Sequence, residues 1–174
     1  MLREAGFAPE VVVTGVPEDV SHDAEGTVAV LAERKANAVD ARGAVVLGCD
    51  SVVSFDGQVL GKPTSPIEAA RWWRSFRGRT ATVWTGHCVR LDGRRASRSA
   101  SADVRFGHPT DDEIASYVAT SEPLHAAGGF RLDGRAAAWV EAVDGDPGAV
   151  HGVSVPTFRA LLDELGIEVT DLWH

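Results

Sequence analysis

Residues 48–63 read GCDSVVSFDGQVLGKP. An apolar run from Ala44 to Cys49 ends on Asp50, passes through Asp56-Gly57 and returns to Gly61-Lys62-Pro63. Apolar stretches on both sides of an Asp-Gly pair are the strongest short hairpin signal. The two-residue turn whose twist matches its strands needs positive φ at both positions, and Asp-Gly tolerates that. The register that follows pairs Phe55 with Gln58, Val53 with Leu60 and Ser51 with Lys62, with Asp50 one step beyond. A carboxylate, a hydroxyl and an ammonium therefore gather at the open end of one hairpin. Such a set suits phosphate chemistry, in which the carboxylate holds a divalent metal or deprotonates a water and the ammonium neutralises phosphoryl oxygens. It reads equally as an ion pair at a hairpin base, worth under about 1 kcal/mol. Strict alternation puts Asp50 and Lys62 on opposite faces, but Gly48 and Gly61 allow the chain to leave regular geometry there, so the facing stays open.

Working outward, a helix is expected from Glu25 to Val39, with Val28, Leu31, Ala32, Lys35 and Val39 on one face at helical spacing. Lys35 thus lies on an apolar stripe. The chain has fifteen Arg and only two Lys, Lys35 and Lys62, so a lysine marks a place where a compact ammonium is wanted rather than any positive charge. The other reading of Lys35 is a buried stem with its amine reaching water. Upstream, Leu2 to Gly6 reads as the last turn of a helix, Glu10 to Thr14 (EVVVT) as a strand, and VPEDVSHD as an acidic loop. Downstream, Ser65-Pro66-Ile67-Glu68 is a capping box that opens a helix ending near Gly78. Thr80 to Leu91 is a β-branched strand, turned at Asp92-Gly93 and answered by Ser97 to Phe106. Thr110 to Glu113 caps a helix running to about Thr120, and a Gly-rich loop, AAGGFRLDG, follows it. Then come a strand from Ala136 to Val143, the turn DGDPG and a final helix from Pro156 to Leu165, stopped by Gly166. Hairpins outnumber clean βαβ units. The expected class is α/β, a mixed central sheet with flanking helices.

With 174 residues, 44% of them apolar and 24% charged, the chain supports one domain with a full core. Its net charge of −8, without any long Lys/Arg run, argues against a nucleic-acid polymer or an anionic membrane as partner. No apolar stretch approaches the roughly 18 residues that span a bilayer, and the start lacks a signal-peptide layout, so a cytoplasmic protein is expected. Cys49 and Cys88 sit in apolar runs without CxxC spacing and read as reduced, buried small residues.

Weaker candidates remain. Arg79, between a helix end and a strand, reads as an anion contact or as a partner of the helix dipole. Glu18 and Asp19 read as metal ligands or as a solvated loop. The six His lack zinc-ligand spacing, and GxGxxG, GxxxxGK[ST] and GxSxG are all absent.

Taken together, ERKA (33–36), GCDSVV (48–53), GKP (61–63), GRT with WTG (78–86) and EPLHAAGGFRLDG (122–134) resemble the Maf proteins, in this order and over nearly the whole chain. The resemblance implies an α/β fold of two lobes around a cleft, often dimeric, and metal-dependent hydrolysis of a nucleoside triphosphate to the monophosphate and pyrophosphate, often of non-standard or pyrimidine nucleotides. It implies Asp50 as general base and metal ligand, Ser51 as a neighbour tied to substrate choice, and Lys35 and Lys62 as phosphate contacts. Glu18 falls at an acidic position of the family and joins Asp50 as a metal ligand; the implied metal is Mg²⁺ or Mn²⁺. Asp133 falls at the base-recognising loop of the family, and with Ser51 and the anion contact read from the position of Arg79 it makes up the expected substrate-binding set.

Three departures accompany the resemblance. The family opens with a strand and an S-x-S-P-R-R loop, whereas MLREAGF aligns with the end of the helix after them, so the expected organisation is a single Maf-like domain over 1–174 lacking that strand and loop. Asp133 stands where many members carry Gln, which replaces a donor-and-acceptor with a pure acceptor. Gly148-Ala149-Val150-His151 stands where Ser/Thr-Asn precedes Val. The second reading, from another class, is a degenerate nucleotide-binding or regulatory protein that keeps the fold without turnover.

Overall fold

The computed structural model describes residues 1–18 and 23–173. Its regular elements are helix α1 (Ala24–Asn37), strands β1 (Val46–Phe55) and β2 (Gln58–Leu60), helix α2 (Pro66–Phe76), strands β3 (Thr80–Leu91) and β4 (Arg94–Phe106), helix α3 (Asp111–Ala119), strand β5 (Val140–Gly145) and helices α4 (Pro147–His151) and α5 (Val155–Glu164). The strands form one sheet in the order β2-β1-β3-β4-β5. The expected central sheet with flanking helices is present. Its strands run antiparallel, so the mixture is one of helix with strand rather than of strand directions.

The opening hairpin has the expected register, Val53 opposite Leu60 and Phe55 opposite Gln58. Asp56 and Gly57 both take positive φ, 49° and 73°, and the Asp92-Gly93 turn repeats the pattern at 46° and 82°. Helix starts follow their caps. The Asp23 side chain accepts from Gly26 N–H at 2.7 Å, Ser65 from Glu68 N–H at 3.2 Å, and Thr110 and Glu113 form a reciprocal capping box.

Three expectations are corrected. EVVVT is not a strand: Val11 and Val13 are 78% and 92% exposed on irregular backbone. Three valines favour a strand only where a neighbouring strand takes up their backbone groups, and among the described residues none does. The segment from Ala136 begins as a 3₁₀ helix, Arg135–Trp139, and turns into β5 only at Val140. Three successive alanines suit a helical turn better than a strand. Pro147 and Gly148, expected within the DGDPG turn, instead open α4 (Pro147–His151), whose Gly148 N–H donates to the Asp146 carboxylate at 2.8 Å. The turn over residues 2–6 closes with Ala5 N–H to Met1 C=O at 3.0 Å, and Phe7 bridges to Trp173.

The chain divides into two compact units, Met1–Asp50 with Thr85–Ala100 and Gly152–His174, and Ser51–Trp84 with Ser101–His151. The first is built on Val89, Phe158, Leu161 and Leu162 and on a smaller cluster of Ala32, Ala36, Val46 and Cys88. The second has an aromatic core in which Trp73 meets Phe76, Phe106, Tyr117 and Trp139 edge-on, with ring centroids 5.0–6.4 Å apart.

Candidate active site

In the first unit, two missing side chains draw α1 onto the sheet. A Cβ on Gly48 of β1 would stand 2.3 Å from the Ala32 carbonyl oxygen, and one on Gly86 of β3 would stand 2.2 Å from the Val28 carbonyl oxygen, one helical turn away. Only glycine permits backbone this close. Gly48 was expected to loosen the strand; it instead lies in regular strand and serves as the seat for the helix. Asp50, two residues along, leaves the same face of β1, and Lys35 sits beside Ala32 and Ala36 on α1. The Lys35 ammonium therefore reaches the Asp50 carboxylate, to which it donates a hydrogen bond, and it also donates to Glu18 at 2.9 Å. The Asp50 side chain is 8% exposed and that of Lys35 23%. Burial by itself lowers the ammonium's pKa, yet the hydrogen bonds and charges of Asp50 and Glu18 outweigh it and hold Lys35 above the ordinary lysine range. One ammonium facing two carboxylates leaves the three groups a formal charge of −1. Beside them Cys49 has its thiol pushed up to about 12, chiefly by burial, and both cysteines are unpaired thiols as expected.

In the second unit, the Gly-rich loop is seated on the far end of the hairpin. Gly128 N–H donates to the Gly61 carbonyl at 2.8 Å, next to Lys62, and a Cβ on Gly128 would stand 2.5 Å from a Val53 methyl. Gly129 lies against Pro63 and Pro123, and its carbonyl accepts from the Trp73 indole at 2.8 Å. Further along, the Arg131 guanidinium donates through two nitrogens to Asp133, at 3.0 and 2.9 Å, and that contact holds the Asp133 carboxyl below the usual carboxylate range. Arg79 donates through both terminal nitrogens to Asp56 at the hairpin tip and lies 4.4 Å over the Phe55 ring.

Of the residues singled out from the sequence, Lys35, Asp50 and Glu18 are brought together. Ser51, Lys62, Arg79 and Asp133 belong to the second unit, where Lys62 and the loop carrying Asp133 are joined through Gly61 and Gly128. Asp19 lies outside the described residues. Sequence reasoning missed Glu122 and Arg131. Arg131 carries a local signal, an opposite charge two residues from Asp133. Glu122 carries none toward Gly134 and Arg135, which are twelve and thirteen residues away; its nearer partner is Tyr117, five residues before it.

Among the described residues no group of three or more His, Cys, Asp and Glu converges. What converges is a pair of carboxylates, Asp50 and Glu18, on one cation. Hard oxygen donors in that number fit a Mg²⁺-like ion, which keeps its waters and completes its shell with substrate phosphates.

The family model described as Maf-like protein matches residues 1–165. A Streptomyces coelicolor protein named nucleoside triphosphate pyrophosphatase is 52% identical over 181 residues, covering 99% of this chain and 88% of that protein. Proteins of the same name from Salinispora tropica and Rhodococcus erythropolis are 45% and 41% identical, over 99% and 100% of this chain and 81% and 91% of their own lengths.

Proposed function

The chain belongs to the Maf-like protein family, and from that membership and the geometry above we propose that it hydrolyses nucleoside triphosphates to the monophosphate and pyrophosphate. The observation that carries the reading is the Lys35 ammonium bonded to both Asp50 and Glu18. The reaction needs a water made nucleophilic and a concentrated anionic charge neutralised, and these groups supply both. Asp50, largely withdrawn from solvent, accepts the proton as water attacks a phosphorus of the α,β-anhydride. The anhydride P–O bond breaks, and pyrophosphate leaves with the electron pair. Lys35 and Lys62 are the ammonium groups that meet phosphoryl oxygens. Asp50 and Glu18 are the side chains that would hold Mg²⁺ or Mn²⁺, and the ion would supply further neutralisation of the phosphate charge.

In the same reading Ser51 and Asp133 bear on which nucleotide is taken, and Asp133 presents its acceptors to the base while paired with Arg131. Arg79 enters the substrate set only on release from Asp56. Non-standard or pyrimidine nucleotides are the proposed substrates and a homodimer the proposed assembly. The described residues contain no helix long and apolar enough to cross a membrane, in keeping with a proposed place in the cytoplasm.

The test is pyrophosphate release from a panel of ordinary and modified nucleoside triphosphates with Mg²⁺ and with Mn²⁺. Asp50→Asn is expected to lower release by about 10²–10⁴-fold, the usual worth of a positioned general base. Unchanged release in the variant would remove Asp50 from the chemistry. Nucleotide binding without any release from the native chain would favour the degenerate, regulatory reading.

A further inference from the structure

Glu122 is a carboxylate of the second unit outside the proposed chemistry, and it accepts three hydrogen bonds. It follows α3, its side chain is 14% exposed, and three donors converge on it. Oε1 accepts from the Arg135 backbone N–H at 2.9 Å and from the Tyr117 hydroxyl at 3.3 Å, and Oε2 accepts from the Arg135 guanidinium at 3.1 Å. Gly134 leaves the room for this carboxylate, since a Cβ there would stand 2.3 Å from Oε1. The carboxylate thus lies flat against the chain one residue after Asp133 and satisfies the first N–H of the 3₁₀ helix Arg135–Trp139. The single Tyr117 O–H proton is shared between Glu122 Oε1 and the Gly129 carbonyl, 3.4 Å away, so Tyr117 stands between Glu122 and an earlier part of the loop.

From this geometry we infer that Glu122 is a positioning residue for base selection. It fixes the 131–134 turn, so that the Arg131–Asp133 pair stands in one place, and Gly134 is the residue that lets it do so. The inference rests on the reading of Asp133 as a base contact. A charged acceptor on a backbone N–H is stronger than a neutral one, and Arg135 adds a second tie. Without Glu122 the turn keeps its own local bonds, Gly134 N–H to the Arg131 carbonyl at 3.3 Å, Ala137 N–H to the Gly134 carbonyl at 3.2 Å and the Arg131–Asp133 pair, and loses its tie to the residues that follow α3. Asp133 would then sample several orientations, and discrimination between bases would fall while contacts to the triphosphate stayed as they are.

The test is calorimetric binding of α,β-methylene analogues of several nucleoside triphosphates, with inorganic tripolyphosphate as the base-free probe. Glu122→Ala and Gly134→Ala are each expected to narrow the spread of affinities between bases by about tenfold, the equivalent of one misplaced hydrogen bond. Tripolyphosphate affinity should stay constant. Glu122→Gln, whose amide oxygen still accepts from the Arg135 N–H, should keep most of the spread. Should Glu122→Ala fail to melt cooperatively, Glu122→Asp, one methylene shorter, carries the same comparison. If Asp133→Asn collapses the spread and the Glu122 and Gly134 variants do not, Glu122 positions nothing. A parallel loss of tripolyphosphate affinity would reduce Glu122 to general support of the fold and overturn its selective role. If Asp133→Asn leaves the spread intact, the base-contact reading itself falls and takes the inference with it.

Discussion

Lys35 illustrates what one side chain can disclose about a site. Its position on an apolar stripe had two readings, a dedicated ammonium and a buried stem with its amine in water, and the scarcity of lysine brought the first level with the second. The structure puts that ammonium on two carboxylates, one of them nearly buried. Lys35→Met removes this ammonium from Asp50 and Glu18, and the expected cost is about 1–3 kcal/mol, read as a lower urea midpoint in metal-free buffer. Lys35→Arg should recover only part of that loss, since a planar fork does not replace a point charge between two acceptors. An unchanged midpoint for Lys35→Met would show the contact to be too solvent-screened to matter. Asp50 was equally legible, as the residue where an apolar strand turns polar. Glu122 was not, because its importance comes from Gly134 and Arg135, which nothing in the local sequence joins to it.

Helix α1 and strands β1 and β3 show the same division one level up. Caps, an Asp-Gly turn and helical spacing are local physics, and the hairpin register, the starts of α2 and α3 and the limits of β3 follow from them. The docking of α1 does not. It rests on Gly48 and Gly86 meeting the Ala32 and Val28 carbonyls, and in the sequence Gly48 looked like a loosening of the strand. Gly48→Ala is expected to push the helix off the sheet, costing upward of about 2 kcal/mol and moving Lys35 away from Asp50. The check is a urea midpoint together with pyrophosphate release, both of which should fall. A variant of native stability and rate would mean that the helix yields without consequence. The valines of EVVVT and the alanines after Gly134 mark the converse failure. Their intrinsic preferences were either read without knowing whether a partner strand existed or overridden by an expected strand.

For the whole chain, net charge and ion pairing set the response to acid. The Arg79 hydrogen bonds hold Asp56 below the usual carboxylate range, those from Arg77 do so for Asp111, and the Thr110 and Thr64 N–H groups do so for Glu113 and Glu68. A carboxyl depressed on folding contributes stability that is present above its unfolded pKa, near 4, and lost as pH falls through the folded value. Stability is therefore expected to be level between about pH 7 and pH 5 and to decline below about pH 4, with a smaller decline in the double variant Asp56→Asn, Asp111→Asn. Urea midpoints across that range provide the check, and an unaltered acid limb in the variant would discount these pairs. What the sequence determined alone was the class of the fold, the hairpin with its turn, the capped helices and the identity of Asp50 and Lys35 as candidates, because spacing, caps and turn chemistry act within a few residues. Tertiary structure alone decided that Lys35 meets Asp50 and Glu18, that Gly128 seats its loop on Gly61 and that Glu122 braces Gly134. Each of those depends on how closely two distant stretches of backbone can approach, which is settled by the packing around them.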